Sequence, residues 1–234
     1  MSGHSKWATI KHQKGAADQK RGKVFTKIGR MISLASREGG SDPAMNFKLR
    51  LALEKAREVN MPQVTMEKAV KRGAGEGGGG QIEEVVYEAA GGEGLAIIIK
   101  AATDNKNRTL SEIKNILAKN GAKLAESGSL AWQFLSCGII DLGQTNLSEA
   151  QELEIIEAGA EDIKKEKGAI IIYTKPQDLQ KVKEKLDSMD IKLESASLGF
   201  VAKNIVQIDP QKTIKLLDAL DEQEDVQEMY TNLK

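Results

Sequence analysis

The stretch GHSKWATIKHQKGAADQKRGKVFTKIGR, Gly3 to Arg30, carries eight Lys/Arg and two His against a single acid, Asp18. Lysine and arginine neutralise phosphates and release condensed counterions, so such a run is equipped to hold a polyanion. Lys6, Lys11, Lys14, Lys20, Arg21, Lys23, Lys27 and Arg30 supply the charge and, with Arg37 just beyond, are the candidate phosphate contacts. His4 and His12 can bond phosphate or 2′-hydroxyl oxygens, and Trp7 can either stack on an exposed base or anchor the segment against its own domain. Glycines at 3, 15 and 22 let the segment follow a curved backbone. The plain alternative is a solvated basic tail.

The chain as a whole hides this charge. Its 234 residues hold 34 Lys/Arg and 34 Asp/Glu, for a formal net charge of zero. Residues 1–75 contain 16 basic and 6 acidic side chains, a net of +10, and the rest contains 18 and 28, a net of −10. That split is expected of a basic module that meets a polyanion, carried on an acidic body that resists non-specific adhesion. With 40% hydrophobic and 29% charged residues the composition is that of a globular protein long enough for two or three domains. One cysteine, Cys137, cannot form an internal disulfide and fits a reducing compartment. No apolar run reaches the ~20 residues needed to span a bilayer, so a cytoplasmic protein without membrane contact is expected.

Signals for catalysis are weak. Only His4 and His12 could act as near-neutral bases, and neither stands in HExxH or HxH. There is no GxSxG elbow. The carboxylates of Glu149 to Glu157 and Asp218 to Asp225 alternate with apolar positions as solvated helix faces do. The glycine run GAGEGGGG at Gly73 to Gly80 is followed by no GK[ST], so it reads as a linker rather than a phosphate loop. No enzyme activity, metal or cofactor is expected; a hydrolase built on His4 or His12 is the outlying alternative.

These residues need elements to position them. Apolar Val24, Ile28, Met31, Ile32 and Ala35 predict a helix over about Lys23 to Arg37. At 100° per residue Lys23, Lys27, Arg30 and Arg37 fall within about 40° of one direction beside that stripe. Asp42-Pro43 reads as the cap and first position of a second helix ending before Pro62, and a third is expected from Pro62 to Arg72. Strands Ile82 to Ala89 and Leu95 to Ala102 flank a glycine-rich hairpin turn. TDNKNRT, Thr103 to Thr109, opens a helix that Asp104 or Asn105 would cap, leaving Asn107 and Arg108 beside a helix N-terminus suited to anions. Short strands near Lys123 and over Leu130 to Phe134 follow. From Gly138 the order β-α-β-β-α-β is the split βαβ arrangement. A final strand (Asn204 to Asp209), helix (Pro210 to Leu220) and strand (Val226 to Tyr230) lack a partner of their own, so the tail is expected to finish the sheet begun at Ile82.

The sequence resembles the YebC/PmpR family, described as transcriptional regulators and as translation factors, with a mitochondrial branch that includes the translational activator of cytochrome c oxidase. The resemblance rests on GHSKWATIKHQKGAADQKRGKVFTK (Gly3 to Lys27), LRLALEKAREVNMP (Leu49 to Pro62), TDNKNRT, GSLAWQF (Gly128 to Phe134) and LLDALDEQEDVQEMYTNL (Leu216 to Leu233). It implies an α+β protein of three domains around a cleft: a basic head and helical domain (1–75), a middle α/β domain (81–136 with 204–234) and an inserted ferredoxin-like domain (137–203). It also implies nucleic-acid contact, either with ribosomal RNA near the peptidyl-transferase centre and tRNA on the ribosome, or with promoter DNA. Members are thought to ease stalling on proline-rich nascent chains. A monomer is the expected state.

Overall fold

The structure, a computed structural model, describes residues 17–76, 81–143, 146–166 and 169–234, with backbone alone at 17–21, 166, 210 and 212. The protein is α+β and divides into two compact units, one formed by the chain up to Gln133 together with Asn204–Lys234, the other by Phe134–Lys203.

Among the described residues the first unit begins with three helices, α1 (Ala17–Gly39), α2 (Phe47–Glu58) and α3 (Gln63–Gly73). Their apolar stripes meet in a core of Ile28, Ile32 and Ala35 from α1, Leu49, Ala52 and Ala56 from α2, and Met66 and Ala69 from α3. Small residues set the α1–α3 distance. Ser33 and Ser36 donate their hydroxyls to the carbonyls of Ala69 (2.8 Å) and Val70 (2.9 Å). A Cβ on Gly73 would lie 2.2 Å from the Ser33 carbonyl oxygen. Gly73 therefore belongs to α3 and its packing, where the sequence placed it in the linker.

The second helix also starts later than Asp42-Pro43 suggested. Asn46 caps α2, its Oδ1 accepting from the Leu49 amide at 3.1 Å, while its Nδ2 donates to Ala35 and Gly40 carbonyls, each at 2.7 Å. One buried amide thus begins α2 and satisfies the orphan carbonyls that end α1. Asp42 instead holds a turn, accepting from the Ala44 amide at 2.8 Å. Met45, which a helix starting at Pro43 would have included, lies before α2 and is 84% exposed.

The sheet of this unit runs, edge to edge, Lys123–Leu124, Glu83–Ala90, Ala96–Thr103 and Val226–Thr231. Strands β1 (Glu83–Ala90) and β2 (Ala96–Thr103) form an antiparallel hairpin registered from Glu83 opposite Thr103 to Ala90 opposite Ala96. Helix α4 (Lys106–Lys119) leads to the short β3 (Lys123–Leu124) on the β1 edge. The carboxy-terminal strand β8 (Val226–Thr231) pairs antiparallel with β2, so the tail completes this sheet. Ile97, Ile99, Ile113, Leu117, Leu216 and Leu220 are among the core residues between the sheet and helices α4 and α7 (Pro210–Glu222). Strand β2 is buried on both faces because α1 also lies against β2 and β8, which accounts for its almost unbroken apolar run. The expected strand at Asn204 to Asp209 reduces to one bridge, Val206 with Leu233.

In the second unit β4 (Phe134–Asp141), α5 (Glu149–Glu157), β5 (Ala160–Glu166), β6 (Ala169–Thr174), α6 (Leu179–Ser188) and β7 (Ser195–Ala202) give a sheet of order β5-β6-β4-β7. All its pairs are antiparallel, and two strands with one intervening helix lie on each half, the split βαβ topology. Its first strand is one continuous element from Phe134, where the sequence suggested two. Leu130–Gln133 turn instead, and residues 131–133 form a single 3-10 turn.

Candidate functional site

Helix α1 carries two functional flanks, and the structure gives each a partner. The apolar flank enters the helical core. The cationic flank meets the corner between α7 and β8. Lys27 Nζ lies 3.0 Å from Asp221 Oδ1 and donates to the Asp221 carbonyl at 2.5 Å. One turn on, Arg30 pairs with Asp225 at 2.7 Å and donates to the Glu224 carbonyl. Near the helix end Arg37 donates to the Ile82 carbonyl at 2.7 Å and lies 3.7 Å from Glu83. The shared direction expected of these cations is thus turned toward the protein's own anions. Lys23, one turn before Lys27, is exposed.

Asp225 is the centre of this arrangement and is 1% exposed. Its carboxylate accepts from Thr109 Oγ1 at 2.6 Å, Arg108 Nη2 at 3.1 Å and Gln223 Nε2 at 3.2 Å, besides the Arg30 pair. Burial alone would raise its pKa; hydrogen bonds from Thr109 and Arg108, with the charge of Arg30, reverse that and hold it below the ordinary value. Arg108 is held more firmly protonated by the hydrogen bond and charge of the same carboxylate. Arg108 also lies 3.2 Å from Asp104, and Arg72 of α3 reaches Asp104 at 3.6 Å. The Thr103-to-Thr109 cluster is therefore the socket that joins helical bundle and sheet.

Within that cluster Asn105 is the cap of α4, its side chain accepting from the Arg108 amide at 3.1 Å. Asn107 is exposed in the first turn. His4, Lys6, Trp7, Lys11, His12 and Lys14 lie outside the described residues, as do 77–80 of the glycine run, and Lys20 and Arg21 are described by backbone only. Sequence reasoning missed Asp221 and Asp225, which looked like members of a solvated acidic face. The signal available was their type and place, two acids one turn apart at a helix-to-strand corner in a tail expected to return to the sheet.

Little else among the described residues offers reaction chemistry. Among the described residues no group of three or more His, Cys, Asp and Glu could hold a metal ion. Burial, with the nearby charge of Glu161, pushes the Cys137 thiol up to about 11, so it is protonated at neutral pH. No helix among the described residues is long and apolar enough to cross a membrane.

Residues 5–76 match the TACO1/YebC protein N-terminal domain, and residues 82–233 match the TACO1/YebC second and third domain. The chain belongs to the TACO1/YebC family. Relatives in this family include a probable transcriptional regulatory protein of Halothermothrix orenii, 46% identical over 99% of this chain and 94% of the relative. One of the same description from Fervidobacterium nodosum is 48% identical over 99% of this chain and 93% of its own. A crystal structure of a conserved hypothetical protein from Aquifex aeolicus is similar at a TM-score of 0.87 and 42% identity, covering 98% of this chain and 97% of that one. The Arg30–Asp225 pair ties residues matched by the TACO1/YebC N-terminal description to residues matched by the second.

Proposed function

We propose that this TACO1/YebC protein is a non-enzymatic, nucleic-acid-binding regulator whose amino-terminal cations contact structured RNA of the ribosome. The observation that carries the reading is the segregation of charge, +10 over residues 1–75 and −10 over the rest. The fold uses Lys27, Arg30 and Arg37 of that surplus to seat α1. The interface is therefore assigned to His4, Lys6, Trp7, Lys11, His12, Lys14, Lys20, Arg21 and Lys23, with Asn107 as an outlying contact. Lys27, Arg30, Arg37 and Arg108 position the interface rather than form it. Irregular RNA suits the site because no helix among the described residues has Asn, Gln and Arg in a repeated register for reading base edges. The resemblance stated above supports a target near the peptidyl-transferase centre and relief of stalling on proline-rich sequences.

The naming of relatives as probable transcriptional regulatory proteins favours a second reading, promoter DNA on the same surface. Sedimentation separates them. Co-migration of purified protein with ribosomes that survives DNase supports RNA. Loss of that co-migration, with retention of a palindromic DNA fragment by a dimer of the protein, supports DNA. Pauses at consecutive prolines in ribosome profiles of cells lacking the protein test the stalling role.

A further inference from the structure

Trp132 is 62% exposed, the one aromatic ring among the strongly exposed apolar side chains of the described residues. Leaving an indole in water forgoes a large burial free energy, yet the turn beneath it is built with care. Glu88 of β1, 6% exposed, accepts the backbone amides of Gly128 (2.5 Å), Leu130 (2.6 Å) and Ala131 (2.9 Å). Its own carbonyl accepts from the Ala125 amide at 2.7 Å. Gly128 adopts φ +83°, a left-handed conformation that favours glycine at the start of the turn. Trp132 Nε1 donates to the Ser129 carbonyl at 2.8 Å, which spends the ring's only polar atom inside the turn. What remains for a partner is an apolar π surface on a fixed pedestal.

We propose that Trp132 is a stacking platform for one unpaired nucleobase. The inference rests on the nucleic-acid reading above, and it adds a second contact point of different chemistry. A polyanion drawn to the basic head presents phosphates to that head, and its only flat apolar groups are its bases. Phosphate contacts position a strand, whereas an aromatic platform selects for a base that is free to leave its helix. Glu88 is a positioning residue, acting through the turn and not on the ligand.

The full chain has two tryptophans, Trp7 and Trp132. Labelled with 5-fluorotryptophan, it gives two fluorine resonances, assigned by W132F. The Trp132 resonance is expected to shift on titration with a 12-nucleotide oligoadenylate and to stay in place with inorganic polyphosphate, which has charge but no bases. W132A should weaken oligoadenylate binding by about 5- to 150-fold, the range of one base stack, with W132F retaining most of the affinity. E88Q, folded by circular dichroism, should lose part of it as the turn loosens. RNA that binds tightly by anisotropy while the Trp132 resonance is unmoved and W132A is unchanged overturns the platform and leaves the nucleic-acid reading standing. A chain that binds no oligonucleotide overturns both.

Discussion

Arg30 meets Asp225 at 2.7 Å, a pair that joins the first helix among the described residues to the corner before the last strand. The carboxylate side is 2% exposed and the arginine side 16%, so the pair is largely withdrawn from water. Arg108 enters the same carboxylate from a third element at 3.1 Å. Charged groups so placed contribute little as a set relative to apolar substitutes, but removing one leaves the others uncompensated. The relationship is therefore one of obligation: α1 must sit on this corner for the corner's charge to be balanced.

Replacing the acid should expose that obligation. D225A is expected to destabilise the first unit by about 3 to 5 kcal/mol, because it takes the carboxylate away from the largely buried Arg30. R30A should cost less, since Arg108 and Thr109 still hold the carboxylate. Urea unfolding of the two variants, followed by circular dichroism, gives the order. Equal and negligible effects would mean that the pair is dispensable.

The same group sets an acid limit. Asp225 has its folded pKa depressed, so its contribution is present above the unfolded value of about 3.9 and is lost as pH falls through the lower folded value. The stability advantage of the natural chain over D225N should be full at neutral pH and shrink below about pH 4. An advantage that instead grows toward acid would assign the wrong sign to the site.

Much of this arrangement is legible in the sequence, and the parts that are not have physical reasons. Helical projection of α1 groups Lys23, Lys27, Arg30 and Arg37, because 3.6-residue periodicity is local, and the last three meet partners within the unit while Lys23 is exposed. It cannot say what the flank faces, since Asp221 and Asp225 reach it only through the return of the tail. Asp42 and Asn46 are both good caps, and sequence favours the one beside a proline; the winner, Asn46, also bonds the end of α1, a tertiary gain invisible in sequence. Gly73 looks like the first glycine of a linker, and only the approach of Ser33 shows that it is a packing residue. The platform at Trp132 lies inside a visible motif, GSLAWQF, but its pedestal depends on Glu88 some forty residues earlier.

Two glycines offer a sharp packing test. A Cβ at Gly73 would meet backbone, the Ser33 carbonyl oxygen at 2.2 Å. At Gly138 in β4 it would meet Thr174 Oγ1 at 2.3 Å and Leu179 Cβ at 2.8 Å. Each is expected to cost about 1 to 3 kcal/mol on replacement by alanine, by overpacking rather than by loss of conformational freedom. Gly22, which has nothing within 4 Å of such a Cβ, lies within helix α1 and is the control. There alanine should be neutral or stabilising, by up to ~1 kcal/mol of helix propensity. Thermal unfolding of the three variants decides whether these close approaches are as tight as they look.

Cys137 should be inert in the folded protein. Its thiol is raised to about 11 by burial and by the charge of Glu161. Alkylation requires thiolate, so iodoacetamide at pH 8 should modify it slowly in buffer and rapidly in denaturant. Fast modification of the native chain would mean that the second unit opens around β4 far more readily than its core implies.

The head makes the most demanding prediction. If six or more of its cations engage phosphates, affinity for single-stranded RNA should fall by about 2.5 decades or more between 50 and 200 mM salt. Neutralising Lys6 with Lys11, or Lys20 with Arg21, should weaken binding at low salt and lower the slope of log K against log salt by about 0.7 for each phosphate no longer neutralised. Neutralising Lys27 should behave differently. Its charge is already matched by Asp221, so K27Q should reduce stability while leaving the salt slope close to that of the natural chain. A slope that drops as much for K27Q as for a residue of the head would put the α1 flank itself on the nucleic acid, and Asp221 and Asp225 would then have to release it on binding.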